Sequence, residues 1–307
     1  RRRYGEKTYR VSVDAGFTCP VRETGMPCVY CDPRGSRAPY LGATDELREQ
    51  IQGARAFLGR RYNARRFLLY FQAFSNTHAS IPELRRVYDL GLASDDFSGL
   101  IVSTRPDCLD EPRAALLAEY ADAGLDVWVE LGLQSANDRT LRRIRRGHSV
   151  AEFDRAVALA RGYGLLTAAD VILGLTGKEM SHARATAQHL SEIGVDGVKF
   201  HNLTITRGTL LYRWYEEGRV APPSASDYLE LLVDALAHLA PQIIVMRLTC
   251  DPPTDVEVAP ATFPDKATFN RNLIDTMRRR DLRQGTHWTD GDTRMYHTVR
   301  KADADQG

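Results

Sequence analysis

The sequence predicts an α/β fold, an open and partial (βα)6 TIM-like barrel with a C-terminal α/β extension. Three observations predict it. Short runs rich in β-branched and aromatic residues alternate with longer runs whose apolar residues recur at helical spacing, the pattern of parallel βα units. About six such units precede residue 205, too few to close an eight-fold barrel. Polar residues recur where each expected strand ends, as they do where the carboxyl ends of parallel strands line a site.

In chain order, Tyr9–Val13 reads as a strand and a cysteine-bearing loop follows it. Leu47–Leu58 has helical spacing, Phe67–Phe71 (FLLYF) is a buried strand, and Pro82–Leu90 is a helix. Gly99–Ser103 is a strand, and Pro112–Ala123 a helix that Gly124 ends. Asp126–Leu131 is a strand, with helices expected at Asp138–Ile144 and Val150–Tyr163. Leu166–Leu173 (strand), His182–Ile193 (helix) and Gly197–Asn202 (strand) complete the barrel units. Beyond them, Thr209–Glu217 and Asp227–Leu239 read as helices and Ile243–Leu248 as a further strand. Pro252–Pro264 reads as loop and Lys266–Arg279 as an amphipathic helix. These divisions predict a core over 1–205, an extension over 206–285 that packs on it, and a mobile polar tail over 286–307.

Composition narrows the function classes. Of 307 residues, 43% are hydrophobic and 26% charged, the balance of a soluble globular enzyme with a sizeable core. The net charge of +1 provides no overall basic field that would demand nucleic acid. No apolar run reaches the length of a membrane span, and no secretory leader pattern is seen. The chain begins at Arg1 rather than Met, so it is expected to be trimmed. Five cysteines in a chain this long do not make a disulfide framework, which predicts a reducing, cytoplasmic setting.

Three of those cysteines cluster: Cys19, Cys28 and Cys31, spaced C-x8-C-x2-C. Thiolates are soft ligands for zinc or iron–sulfur clusters. A structural zinc site is closed by four protein ligands, so zinc would need Cys108 or a histidine as well. A [4Fe–4S] cluster on three cysteines leaves one iron open to another ligand. Cys108 and Cys250 also read as small buried residues. The alternative for Cys250, at a strand end, is a cavity-facing thiol.

The other strand ends carry Gln72 to Thr77, then Ser103 to Cys108, then Glu130 with Gln134 and Ser135. Asp170 and the segment Gly174 to Glu179 follow, and finally Lys199, His201 and Asn202. Lys199 and His201 alternate, so they share one face of their strand. They read either as a hydrogen-bonded interior pair or as substrate and proton-transfer groups. Strand carboxylates such as Glu130 and Asp170 are rarely buried unpaired. Arginine runs at 60–66, 142–146 and 278–283 read as solvated helix faces, with an RNA-phosphate footprint as the alternative.

With these residues in view, the chain resembles the radical S-adenosylmethionine (SAM) enzymes. The cysteine loop, YFQAFSNT, STRPDCL, VELGLQSANDRTLRRIRRGH, VILGL and RLTCDPP carry the likeness. More narrowly it resembles the YhcC/YtqA-type subgroup related to the elongator catalytic subunit, over about Tyr4 to Gly285. The resemblance implies that Cys19, Cys28 and Cys31 hold three irons of a [4Fe–4S] cluster and that SAM chelates the fourth. It also implies that an electron from the cluster breaks a C–S bond of SAM, usually giving a 5′-deoxyadenosyl radical that takes hydrogen from the substrate. The protein's part is positioning, tuning and exclusion of water and oxygen.

Residue by residue, the resemblance places Tyr30 where an aromatic ring packs on the cofactor. Gln72, Asn76 and Thr77 occupy the segment that meets the SAM amino group, although the family's Gly-Gly-Glu is missing. Thr104, Arg105 and Glu130 stand where ribose and carboxylate contacts arise, with Gln134 and Ser135 as further candidates. Arg145 or Arg146 would pair with the carboxylate, and Ile172 and Gly174 match the adenine-contacting strand end. Where the subgroup has GLPGE this chain reads Gly174-Leu175-Thr176-Gly177-Lys178-Glu179. Asp170 replaces a frequent histidine, and Cys250 replaces a frequent glycine. With His201, these two are the candidate catalytic residues. The expected activity is radical chemistry on a small molecule, with specialised metabolism as its setting. The alternatives are tRNA wobble-uridine modification and, from another class, a non-catalytic zinc or metal-binding protein. The expected partners are that substrate or tRNA and an electron donor such as flavodoxin or ferredoxin.

Overall fold

Seven parallel strands form one half-barrel sheet, in the order β1 (Thr8–Val13), β2 (Arg66–Phe71), β3 (Gly99–Thr104), β4 (Asp126–Gln134), β5 (Leu166–Leu173), β6 (Gly197–Asn202) and β8 (Ile244–Arg247). The structure, a computed structural model, describes residues 4–32, 35, 37–38, 41, 44, 46–175, 179–250, 257–260 and 262–289. The expected six units are present, and the strand foreseen in the extension joins the same sheet as its seventh member, beside β6.

Helices close the outer face: α2 (Leu47–Tyr62), α3 (Ile81–Leu92), α4 (Glu111–Asp122), α6 (Val150–Gly162), α7 (Met180–Ile193) and α9 (Ala225–His238). Two begin with reciprocal capping boxes, Ser149 with Glu152 on α6 and Ser224 with Asp227 on α9. α10 (Lys266–Arg279) packs on α9 through Phe269 and Tyr228, whose ring centroids lie 5.5 Å apart. Residues 285–288 continue onto α9, where the His287 backbone N–H donates to the Ala237 carbonyl at 2.7 Å. The remainder of the expected tail, from residue 290, lies outside the described residues, as do 176–178 and 251–256 of the segments singled out above.

Side chains of period two sort the sheet into an outer apolar face and an inner polar one. Val11, Leu69, Val102, Val129, Val171 and Phe200 belong to the outer core beneath the helices. The inner face has a floor of Leu68, Tyr70, Ile101, Trp128 and Ala168, on which Met246 packs. Above that floor the inward positions turn polar: Ser12, Tyr70, Gln72, Ser103, Glu130, Gln134, Asp170, Lys199 and His201 all line one cavity.

Several elements differ from expectation. The cysteine loop contains a short helix, α1 (Pro20–Glu23), with proline at its first position. β4 runs three residues past Leu131, through a bulge against β5 between Gly132 and Gln134. The stretch read as loop before α10 contributes β9 (Glu257–Ala259), which pairs antiparallel with β7 (Ile205–Thr206). By contrast, α5 (Asp138–Arg143) and α8 (Leu210–Glu216), which flank the cysteine loop, fall where helices are expected.

Candidate active site

The cavity at the carboxyl ends of the strands has a volume of about 530 Å3 and runs from the three cysteines to Cys250. The cysteine loop is fixed by its backbone. The N–H of Val29 donates to the Ile144 carbonyl at 3.0 Å, after α5, and the Val29 carbonyl accepts from Leu211 of α8 at 2.8 Å. The Val29 side chain is fully buried between Leu141, Ile144 and Leu211, which adds roughly 1.5–3 kcal/mol of anchoring. Tyr30 and Cys31, the next two residues, are thereby turned to the cavity.

All three cysteines line this cavity. Burial, with a contribution from Cys31, pushes the Cys19 thiol up to about 12, while Arg146 and Arg105 oppose it. Burial likewise raises Cys31, against the hydrogen bond from Arg22. Arg22 Nη2 donates to Cys31 Sγ at 3.0 Å, and Arg146 Nη1 to Cys28 Sγ at 3.6 Å. Buried thiols with guanidinium donors on two sulfurs are a donor set in which iron supplies the positive charge that thiolates need. The three residues therefore fit an iron–sulfur cluster.

Arg146 explains why two motifs occur together. Its guanidinium donates to the Gly132 carbonyl through Nε at 3.1 Å and Nη2 at 2.8 Å, and His148 Nε2 lies 3.0 Å from the same oxygen. A Cβ on Gly132 would sit 2.3 Å from Arg146 Nη2 and 2.7 Å from Gln134 Nε2, so both side-chain ends would have to shift to admit one. Gly147, at φ +78, faces Val21 and Arg105; a Cβ there would sit 2.8 Å from Val21 Cγ1 and 3.0 Å from Arg105 Nη2. The glycines of VELGLQS and RRGH thus clear space for buried arginines beside the cysteines.

On the β2 and β3 ends, Asn76 and Thr77 act as scaffold. Asn76 Nδ2 donates to the carbonyls of Phe71, Ala73 and Ser103 at 2.9–3.1 Å. Thr77 Oγ1 must donate to the Cys108 carbonyl at 2.6 Å, so it accepts from Thr104 Oγ1, which in turn accepts from Ser75. Thr104 lines the cavity with its proton already committed, and can offer a ligand only a lone pair. Arg105 is 1% exposed; its Nη2 donates to Asp107 at 2.9 Å, while Nε and Nη1 have no acceptor among the described residues. Two orphaned buried donors mark a place for an anionic group.

The far wall carries ionisable groups. Glu130 accepts from Tyr70 Oη through one oxygen and pairs with Lys199 through the other, with both side chains almost fully buried. Lys199 Nζ also donates to Tyr70 Oη at 2.9 Å. Burial lowers the Lys199 ammonium to about 8, against the attraction of Glu130. His201 Nε2 lies 3.5 Å from Asp170 Oδ1. Burial holds His201 below its usual value despite Asp170; Asp170 is held well below the carboxylate range by Lys199 and His201, which outweigh its burial. Cys250 Sγ lies 3.5 Å from Asn202 Oδ1, at the mouth.

Of the residues singled out in the sequence, Cys19, Cys28, Cys31, Tyr30, Gln72, Thr104, Arg105, Glu130, Gln134, Asp170, Ile172, His201 and Cys250 line this one cavity. Asn76, Thr77, Ser135, Gly174 and Arg145 do not. Gly174 is turned to Pro223, and Arg145 is exposed at φ +55, whereas its neighbour Arg146 is buried in the site. The arginine run therefore does not lie wholly on a solvated face. Tyr70 and Arg247 were missed. Tyr70 sits in a run that reads as apolar, and only its inward parity with Glu130 marks it.

A family model for the radical SAM superfamily matches residues 16–190, and one for the radical SAM C-terminal domain matches 195–279. The chain belongs to the radical SAM superfamily. Radical SAM enzymes use a [4Fe–4S] cluster and SAM, which is the chemistry the cysteine wall fits. Protein YhcC of Escherichia coli (strain K12) is 35% identical over 262 residues, 84% of this chain and 84% of its own. Uncharacterized protein MJ0486 of Methanocaldococcus jannaschii is 30% identical over 291 residues, 94% of this chain and 90% of its own. The archaeal Methanocaldococcus infernus Elp3 with an N-terminal deletion superposes with a TM-score of 0.67 at 19% identity, over 90% of this chain and 64% of that one, a likeness of fold. Among the described residues of this radical SAM chain, no helix is long and apolar enough to cross a membrane.

Proposed function

We propose that this radical SAM enzyme acts on a small molecule held between the cofactor and the β5–β6–β8 wall. The observation that carries the reading is the wall itself: Glu130, Lys199, Asp170 and His201 converge on the side of the cavity away from the cysteines. A few convergent polar groups on a cavity wall suit the orientation of a compact ligand. When bound, the cluster and SAM supply an organic radical by reductive cleavage of a C–S bond.

The chain's own residues divide the remaining work. Cys19, Cys28 and Cys31 would hold the cluster, with Arg22 and Arg146 donating to two sulfurs and tuning its potential. Arg105 would take the SAM carboxylate on its two open donors, and Thr104 would accept from a ribose hydroxyl. Tyr30 and Ile172 would flank the cofactor, and Gln72, Gln134 and the β4 bulge would border it. His201, oriented by Asp170, would move protons near the substrate, and Cys250 would face it from the mouth. A cytoplasmic one-electron donor such as flavodoxin or ferredoxin would dock beside α5. There Arg139, Arg142, Arg143 and Arg145 are exposed, next to the Ile144–Val29 backbone bond.

The test compares substrates under reduction. An RNA-free small-molecule extract is expected to raise SAM turnover, while tRNA leaves turnover unchanged and binds weakly at low salt. Turnover raised by tRNA alone, with tight salt-sensitive binding, overturns the small-molecule reading in favour of tRNA modification.

A further inference from the structure

Arg247 occupies an unusual position. β8 pairs with β6 in register Gly197↔Ile244 and Val198↔Val245, and then slips one residue so that Lys199 pairs with Arg247 rather than Met246. A regular strand sends adjacent side chains to opposite faces. The bulge lets two neighbours face inward: Met246 packs on the floor of the half-barrel, and Arg247 enters the cavity above it. Bulges re-aim side chains in this way beside functional sites.

Once there, Arg247 holds no partner among the described residues. Among the described residues its guanidinium makes no hydrogen bond and no ion pair. The other cavity arginines are engaged: Arg22 with Cys31, Arg37 with Asp14, Arg105 with Asp107 and Arg146 with Gly132. The groups facing Arg247 are Tyr70, Glu130, Asp170 and Cys250. Both carboxylates have nearer partners, Glu130 in Lys199 and Asp170 in His201. Arg10, Lys199 and Arg247 bring three positive charges to a layer that holds two carboxylates. An excess of positive charge in a half-buried layer favours a compensating anion, and a planar guanidinium with open donors suits a carboxylate or phosphate group.

We propose that Arg247, re-aimed by the β8 bulge, is the anchor for a carboxylate or phosphate group of the substrate, on the wall opposite the cysteines. The proposal rests on the reading of a small-molecule substrate and names its chemical class. The substrate's anionic end would sit between β6 and β8, leaving its reacting carbon towards the cofactor.

Phenylglyoxal labelling mapped by mass spectrometry tests it on the reconstituted holoprotein. With SAM bound, Arg247 is expected to label readily. Inorganic phosphate or acetate, added singly, should slow that labelling by about tenfold at ten times its dissociation constant. Stronger protection by phosphate assigns a phosphate monoester, and by acetate a carboxylate. Protection of Arg247 by SAM alone, an Arg247 that does not label with SAM present, or a rate unchanged by either anion each overturns the inference. Arg105 in the same digest reports on the cofactor side separately, because its protection by SAM does not depend on Arg247. With SAM bound throughout to occupy Arg105, a rise in melting temperature with phosphate or acetate should vanish in Arg247→Gln and be weaker in Arg247→Lys. A rise that persists in Arg247→Gln contradicts the assignment.

Discussion

The two walls of the cavity are held in place by different means. On the β1–β4 side, the cysteine loop hangs on backbone bonds at Val29, and Arg146 is seated on a bare carbonyl cleared by Gly132. On the β5–β8 side, position depends on charge: Lys199 reaches across to Glu130 of β4, His201 pairs with Asp170, and Arg247 has no hydrogen bond or ion pair among the described residues. The first arrangement is fixed largely by backbone contacts and suits a cofactor that is always the same. The second is balanced only when a ligand completes it, which suits the part of the site that differs between enzymes sharing this fold.

The comparison is broken most severely at the far wall. Glu130→Gln leaves the Lys199 ammonium buried without its partner and is expected to cost about 3–5 kcal/mol. Adding Lys199→Met should recover most of that loss in urea unfolding. A single substitution that costs nothing would mean that the wall is not held by charge.

The cofactor side has its own pH signature. Burial, then Arg146, lowers His148 to about 4 from an ordinary 6.5. Between those values the unfolded chain binds a proton that the folded one refuses, so stability is full above about pH 6.5 and falls as pH drops towards 4. The loss reaches about 3 kcal/mol at 1.36 kcal/mol per pH unit. His148→Gln should flatten the slope in urea midpoints measured across that window, and an unchanged slope would assign the titration elsewhere.

Gly132→Ala tests the steric half of the comparison. Its Cβ would drive Arg146 off the carbonyl, with an expected cost of about 1–3 kcal/mol and a lower iron content after reconstitution. Full iron content at wild-type stability would show that the clearance is not needed. The smallest effect is expected at Ser149→Ala, which opens the capping box of α6 for about 1 kcal/mol and should leave the iron content unchanged.

Much of this was legible in the sequence because strand parity and strand-end polarity are one-dimensional signals. Glu130, Asp170, Lys199 and His201 lie at alternate positions of apolar strands, and the structure brings them to one face. The cysteine spacing was equally plain. What stayed hidden depends on departures from regular pairing or on an absent atom. Nothing in RRIRRGH separates Arg145 from Arg146; the difference lies in the Cβ that Gly132 lacks. Arg247 follows Met246 in an ordinary apolar strand, and only the slipped register turns both inward. Asn76 and Thr77 look like binding groups because they are polar at a strand end, but their hydrogen bonds tie the β2 and β3 ends together.

The central claim is that three cysteines on a rigid wall hold a cluster that works with SAM opposite a charge-built substrate wall. Anaerobic reconstitution followed by reduction with SAM tests it most directly. The expected result is about four irons per chain, as three thiolates on one cluster require, with release of 5′-deoxyadenosine that is lost in Cys28→Ser. A single zinc with no iron, or a full cluster that releases no product from SAM under strong reduction, would contradict it.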